Sequence, residues 1–238
     1  MVPARQILPL RVEGLGFTAN GVDILQGLDF TLEAGAPSFI IGPNGAGKTV
    51  LLRVLHGLLP PSRGLVRWQT HDAARHQAMI FQRPVLLRRS VLENTLYPLA
   101  VMGVARAERR ARAAEALALV GLTAMQDRPA RSLSGGEQQR LALARAAALT
   151  PEVLFLDEPC ASLDPAATRA VEEIIATLAA RGTKIVMTTH DLAQARRLAG
   201  EILFLDRGCL REQAAAASFF AAPTTPEARA FLRGELLW

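Results

Sequence analysis

Cysteine, lysine and tyrosine are scarce in this chain, and their scarcity excludes several classes of protein. Of its 238 residues, two are cysteine, one is tyrosine and only 5% are aromatic. Cys160 and Cys209 are too few for a disulfide framework and too far apart in the sequence for a metal-binding pair. We therefore expect both to be ordinary thiols of the core or the surface.

Long apolar runs are also missing, although half of the residues are hydrophobic. Runs such as Val153–Leu156 fall far short of the roughly 18 residues that cross a bilayer. The composition is that of a packed globular chain rather than a disordered one. The sequence therefore predicts a single domain that does not span a membrane and that stays in the cytoplasm.

Positive charge comes almost entirely from arginine, because Lys48 and Lys184 are the only lysines. With 27 basic and 22 acidic side chains the formal net charge is +5. Arginine makes two-pronged contacts with phosphate or carboxylate, so nucleic acid and anionic lipid are candidate partners. The densest arginine run, residues 106–112, alternates with alanine at helical spacing and contains no aromatic residue. It is typical of a solvated helix face, and we expect no nucleic-acid partner.

The positions of glycine and the spacing of apolar residues predict the order of strands and helices. Residues 8–33 alternate apolar and polar side chains between turns, which indicates antiparallel strands. Residues 38–41 form a short buried strand, and the segment from about 88 to 148 has helical periodicity. Strands at Val153–Asp157 and Lys184–Thr189 flank one more helix. This order predicts an α/β fold with a parallel sheet and crossover helices.

The first motif is a glycine-rich turn between a strand and a helix. It matches G-x-x-x-x-G-K-[ST] and consists of Gly42, Pro43, Asn44, Gly45, Ala46, Gly47, Lys48 and Thr49. Glycines let successive backbone N–H groups point at phosphate oxygens, next to the positive end of a helix. We expect Lys48 to reach the β- and γ-phosphates of a nucleotide and the Thr49 hydroxyl to bind Mg²⁺.

The second motif is an apolar strand that ends in two adjacent carboxylates, Asp157 and Glu158. Ligands of α/β sheets bind at the carboxyl ends of the strands. Asp157 suits a role at Mg²⁺, usually through water. Glu158 points the other way and suits a base that positions or deprotonates an attacking water.

The third motif, Leu-Ser-Gly-Gly-Glu-Gln-Gln-Arg at 133–140, opens a helix, so that Ser134, Gly135 and Gly136 form a second anion site. Together with the first two motifs, and in this order, it resembles the signature of ATP-binding cassette (ABC) ATPases. The resemblance covers essentially the whole chain. Gln82 resembles the glutamine of the Q-loop, Ser162–Asp164 the D-loop, and His190 the switch histidine.

The resemblance implies a P-loop NTPase of the ABC type, one domain over residues 1–238. Its RecA-like parallel-sheet core would comprise about 1–87 and 150–238, with an N-terminal antiparallel β subdomain. A helical subdomain carrying the signature motif would be inserted at about 88–149.

The resemblance also implies how the site residues act on ATP and Mg²⁺. In the family two copies pair head to tail, and the nucleotide on one phosphate loop is covered by the partner's signature motif and D-loop, here Ser134–Gly136 and Asp164. Glu158 would be the base and His190 would contact the γ-phosphate. Gln82 would help to hold Mg²⁺ and would couple the nucleotide state to a membrane partner.

One position departs from the family pattern. The family usually has an aromatic residue upstream of the phosphate loop that stacks on adenine, and this chain has Ala19 there. Phe17, two positions earlier, is the nearest aromatic candidate. We expect weak discrimination between nucleotide bases.

Two classes of function fit these motifs. One is the ATPase of a membrane transporter with separate integral-membrane permease subunits; the other is a soluble non-transport ABC ATPase that acts on ribosomes, DNA or iron–sulfur assembly. The chain has one cassette and no long arms between its motifs, which favours transport.

A cassette without fused membrane helices is usual for bacterial importers, so we expect a periplasmic substrate-binding protein and a peripheral position on the inner face of the cell membrane. Phe81–Val91 resembles cassettes for oxyanions, tungstate above all, with amino-acid, phosphate and export systems as alternatives.

Overall fold

The computed structural model describes residues 7–235, which contain nine strands and eight α-helices. The strands are β1 (Leu10–Ala19), β2 (Val22–Leu32), β3 (Ser38–Ile41), β4 (Arg63–Arg67), β5 (Gln77–Ile80), β6 (Val153–Asp157), β7 (Lys184–Thr188), β8 (Glu201–Asp206) and β9 (Cys209–Ala215). The helices are α1 (Lys48–His56), α2 (Val91–Val101), α3 (Arg106–Leu119), α4 (Gly135–Ala147), α5 (Pro165–Ala180), α6 (Leu192–Leu198), α7 (Ala216–Ala221) and α8 (Pro226–Leu232). No helix within residues 7–235 has both the length and the apolar character that a bilayer span needs.

The chain divides into two compact units. Residues up to 77 and from 184 onward form the first unit, and residues 78–183 form the second. The segment 88–149, predicted as the helical subdomain, lies inside the second unit. The predicted subdomain boundaries remain a prediction, and residues 1–6 and 236–238 of the predicted domain lie outside the described residues.

The first unit contains an antiparallel sheet and a mixed sheet. In the antiparallel sheet β1 pairs with β2 and with β4, which confirms the strands predicted at 8–33. In the mixed sheet β3 pairs in parallel with both β7 and β8, and β9 adds an antiparallel strand beside β8. All four residues of β3 are buried, as expected for a strand with neighbours on both sides. The predicted parallel sheet is therefore confirmed here, with one antiparallel strand at its edge.

Helices dominate the second unit, as the periodicity of 88–148 predicts. α2, α3 and α4 pack against one another, and α4 also packs on α5. Asp164 caps α5 and Pro165 is its first residue, in agreement with the sequence. Strand β7 in the first unit ends one residue earlier than predicted, because the Thr189 hydroxyl accepts a hydrogen bond from the Asp191 backbone N–H and starts a turn.

Candidate functional site

The phosphate loop leaves the carboxyl end of β3 and has a backbone that requires glycine. Gly42, Gly45 and Gly47 have φ of 151°, 80° and 98°, a region that residues with a Cβ rarely adopt. A Cβ on Gly42 would also overlap the carbonyl oxygen of Leu205. The loop can therefore keep this path only with glycine at these positions.

Lys48 is held over the loop that precedes it. The side chain is only 5% exposed, and its Nζ donates hydrogen bonds of 2.9 Å to the carbonyl oxygens of Gly42 and Pro43. Lys48 is also the first residue of α1, and within residues 7–235 no side chain caps this helix. The ammonium group and the positive end of the helix therefore act on the same small volume, which suits a phosphate.

The hairpin of β1 and β2 is attached directly to the phosphate loop. A Cβ on Gly47 would lie 2.9 Å from Leu25 Cδ2 and 3.0 Å from the Ile24 carbonyl oxygen. The backbone N–H of Gly208 donates to the Ala46 carbonyl oxygen at 3.1 Å. Gln26 in turn donates to the Gly208 carbonyl oxygen at 2.8 Å. These contacts hold the hairpin against the phosphate loop.

Ala19, the position that departs from the family pattern, lies at the end of this hairpin. It pairs with Val22 across the Asn20-Gly21 turn, and Val22 is 63% exposed. Phe17 pairs with Leu25, so Ile24 is the extra residue of a β-bulge. The end of the hairpin therefore carries the half-buried Ala19 and the exposed Val22, and Phe17 is also half-buried.

The segment that contains His190 follows β7 and leaves the sheet at the same edge as the phosphate loop. Ile40 of β3 pairs with Thr188 of β7 in parallel register, so Gly42 and His190 each follow two residues after a paired position. His190 is exposed, and Asp191 after it caps α6 by accepting hydrogen bonds from Ala193 and Gln194. The structure thus brings His190 and the phosphate loop to adjacent strand ends, as the motif order implies.

In the second unit the two carboxylates differ in their surroundings. All five residues of β6 are buried, and Asp157 is only 2% exposed. Glu158 is half-buried and has a φ of 44°, which is unusual for a residue other than glycine. This backbone bend turns the chain immediately after Asp157. Gln82 is exposed two residues beyond β5, the neighbour of β6.

Ser134 caps the signature helix α4 through a reciprocal pair of hydrogen bonds. Its Oγ accepts from the Glu137 backbone N–H at 3.4 Å, and the Glu137 carboxylate accepts from the Ser134 backbone N–H at 2.7 Å. This second bond holds the pKa of Glu137 below its ordinary value. The sequence prediction missed the role of Glu137, although the spacing S-x-x-E is itself a signal for such a cap.

Asp164 has a comparable role at the start of α5. Its Oδ1 accepts a hydrogen bond of 2.9 Å from the Ala167 backbone N–H. Ser162, two residues earlier, has a φ of 65°, so the D-loop bends sharply before the helix. The residues of the second unit that are predicted to cover a partner's nucleotide therefore lie at or next to capped helix starts. They are Ser134, Gly135, Gly136 and Asp164.

The predicted site residues fall into two groups according to the unit that carries them. The first unit carries residues 42–49 and His190, and the second carries Gln82, residues 134–136, Asp157, Glu158 and Asp164. Nowhere in residues 7–235 do three or more His, Cys, Asp or Glu side chains form a group that could hold a metal ion.

Residues 25–161 match the family model described as ABC transporter. The chain is 40% identical, over 94% of its length and 70% of the relative, to the methionine import ATP-binding protein MetN of Bradyrhizobium diazoefficiens. It is 39% identical to the L-cystine transport system ATP-binding protein TcyN of Escherichia coli, over 96% of this chain and 98% of the relative. It is 38% identical to the tungstate uptake system ATP-binding protein TupC of Peptoclostridium acidaminophilum, over 86% and 98%.

Among solved structures, the dimeric post-hydrolysis state of the ATP-binding cassette MJ0796 bound to ADP and Pi superposes with a TM-score of 0.78. The two chains are 26% identical over 87% of this chain and 98% of the other. The predicted cassette fold is thereby confirmed. The chain belongs to the ABC transporter family, as an ATP-hydrolysing, ATP-binding subunit of the import type.

Proposed function

We propose that two copies of this chain bind and hydrolyse ATP with Mg²⁺ and so drive uptake of a small solute through separate integral-membrane permease subunits. The observation that carries this proposal is the phosphate loop, in which Lys48 Nζ donates hydrogen bonds to the carbonyl oxygens of Gly42 and Pro43. The chain would act in the cytoplasm, peripherally on the inner face of the cell membrane. A periplasmic substrate-binding protein would deliver the solute.

The residues proposed for Mg²⁺ fit that ion chemically. Thr49, Asp157 and Gln82 offer hydroxyl, carboxylate and amide oxygens, the hard donors that Mg²⁺ prefers. A single carboxylate leaves coordination positions for phosphate oxygens and water. When bound, the ion would neutralise charge on the β- and γ-phosphates.

Hydrolysis then requires positioning more than covalent chemistry. Glu158 accepts a proton from a water whose oxygen attacks the γ-phosphorus, while the bond from that phosphorus to the β–γ bridging oxygen breaks and ADP leaves. Lys48 and the backbone N–H groups of residues 44–49 hold the phosphates. His190 donates a hydrogen bond to the γ-phosphate and senses its loss, and Gln82 transmits the change to the permease.

The proposed pair is head to tail because each chain has one phosphate loop and one signature motif. Ser134, Gly135, Gly136 and Asp164 of one copy would cover the ATP of the other. A two-fold pair is the simplest way to complete both sites. The related cassette MJ0796 was solved as a dimer, which supports this arrangement.

For the cargo, the narrower proposal is tungstate or a related oxyanion. The similarity to TupC and the Phe81–Val91 stretch support it. The methionine and cystine relatives are equally similar, so an amino acid is the competing cargo. Deleting the gene and measuring cellular uptake of tungstate, methionine and cystine decides between them. We expect loss of tungstate uptake alone, and selective loss of an amino acid would contradict the oxyanion proposal.

Glu158→Gln is expected to retain ATP binding and to slow turnover by more than about tenfold, a barrier increase above about 1.4 kcal/mol. The amide cannot accept the proton, whereas Lys48 and Asp157 are unchanged. Steady-state ATPase assays together with nucleotide titration measure both effects. Glu173→Gln, which changes an exposed carboxylate of α5, is the control. Turnover within tenfold of the parent would show that Glu158 is not the base.

Ser134→Arg is expected to leave nucleotide binding by the single chain unchanged and to abolish the ATP-dependent dimer. A bulky cation at the start of α4 would collide with the second copy. Light scattering with ATP, in the Glu158→Gln background, measures the dimer. Ser90→Arg removes the equivalent cap from α2 and controls for the loss of the capping hydrogen bonds. A dimer that survives Ser134→Arg would refute the head-to-tail arrangement.

Ala19→Tyr is expected to tighten ATP binding by up to about 1–3 kcal/mol, the scale of base stacking on an aromatic ring. The parent should distinguish ATP from GTP only weakly, because its remaining contacts are to phosphates. Titration with a fluorescent ATP analogue measures the change, and Phe17→Ala is titrated in parallel. If Phe17→Ala weakens binding while Ala19→Tyr has no effect, Phe17 already covers the base and the proposed gap at Ala19 is wrong.

A further inference from the structure

The first turns of α4 and α5 approach each other unusually closely in the second unit. Gly136 is the second residue of α4, and a Cβ built on it would lie 2.7 Å from the Cβ of Ala167 and 3.8 Å from its Cα. Cβ atoms of folded proteins essentially never come within 3.0 Å of a heavy atom outside their own and the adjacent residues, so one helix would have to move. Gly136 does not have a positive φ, so space rather than backbone conformation demands glycine there.

The neighbouring glycine has no such restriction. A Cβ on Gly135 would come no closer than 4.0 Å to Leu163 Cδ2, an ordinary contact distance. The close approach is therefore specific to Gly136 and Ala167. Because the Cβ of alanine is bonded to the helix backbone, it cannot swing away as the end of a long side chain could.

Ala167 also has a second partner. Its backbone N–H donates the hydrogen bond by which Asp164 caps α5. One residue thus contacts the signature motif through its methyl group and the D-loop through its N–H. Both contacts involve atoms fixed to the first turn of α5.

We propose that Ala167 is a positioning residue that holds the start of α4 at a fixed distance from Asp164, so that the signature motif and the D-loop of one chain meet the second copy as one surface. This role rests on the head-to-tail pair proposed above. A displacement of the order of 1 Å at Ser134 would weaken its contact with the nucleotide of the second copy. Misplacements of that size cost about a hundredfold in rate in other enzymes.

A rescue experiment separates this packing role from the other reason for glycine at 136, close approach of the second copy's nucleotide. Gly136→Ala should lower the melting temperature by roughly 2–10 °C, the range for overpacking in a chain of this size. It should also reduce ATPase activity by about tenfold or more. Adding Ala167→Gly removes the opposing methyl group and should restore most of both losses.

The controls use the adjacent positions of the same helices. Gly135→Ala should keep the melting temperature of the parent, because its Cβ meets only an ordinary contact. Ala167→Gly alone should show no more than a small loss of stability from helix propensity. If the double variant is as unstable and as inactive as Gly136→Ala, the contact does not set the position of α4 and the proposal fails.

The converse experiment enlarges α5 and leaves every proposed nucleotide-binding residue in place. Ala167→Val should retain nucleotide binding by the single chain, lose the ATP-dependent dimer in the Glu158→Gln background and lower kcat by about tenfold or more. Ala166→Val, on the exposed side of the same turn, should behave like the parent. Ala167→Ser supplies a milder step if valine prevents folding.

The outcomes distinguish this proposal from the proposed function. If Glu158→Gln itself forms no ATP-dependent dimer, the head-to-tail pair is wrong, and restored melting temperature in the double variant would still establish the contact. If that dimer forms and Ala167→Val forms it equally well, the pair stands and Ala167 does not position the signature motif.

Discussion

The parallel pairing of β3 with β7 and β8 decides which loops of the first unit lie side by side. Parallel strands end at the same edge of a sheet, so the chain segments that follow β3 and β7 emerge side by side. One of them becomes the phosphate loop, and the other leads to His190. Both faces of β3 are buried, with Phe39, Ile40 and Ile41 fully covered, so this burial stabilises the pairing of the strand with its neighbours. The placement of the phosphate loop beside the segment that leads to His190 therefore follows from strand pairing within a buried sheet.

Helix starts, rather than clusters of charged side chains, mark the predicted anion sites of this chain. Lys48 is held by two carbonyl groups of its own loop, and its charge lies at the start of α1. In the second unit, Ser134 and Asp164 begin helices whose first N–H groups they satisfy. Such sites depend on backbone groups and need few ionisable side chains.

The sequence predicted the parts of the site that depend on local residue order. The phosphate loop, the apolar strand that ends in Asp157 and the cap at Asp164 all follow from spacing over a few residues. What could not be predicted depends on contacts between distant segments. The bulge at Ile24 and the contact of this hairpin with Gly47 arise from the pairing of β1 with β2 and the packing of that hairpin on the loop. The Gly136–Ala167 contact likewise depends on how α4 packs on α5, and neither residue has a local signal for it.

The two serine caps of the second unit show why local pattern alone is not function. Ser90 with Glu93 and Ser134 with Glu137 make the same reciprocal hydrogen bonds at the starts of α2 and α4.

The residues that follow the two caps differ. After Ser90 comes Val91, which is fully buried, and the backbone N–H groups of Val91 and Leu92 donate hydrogen bonds to the carbonyl oxygens of Arg128 and Gln126. After Ser134 come Gly135 and Gly136, which have no side chains, and at Gly136 this allows α5 to pack closely. The same capping hydrogen bonds therefore occur at two helix starts with different surroundings, and the proposed contact of α4 with a second copy rests on Gly135 and Gly136 rather than on the cap.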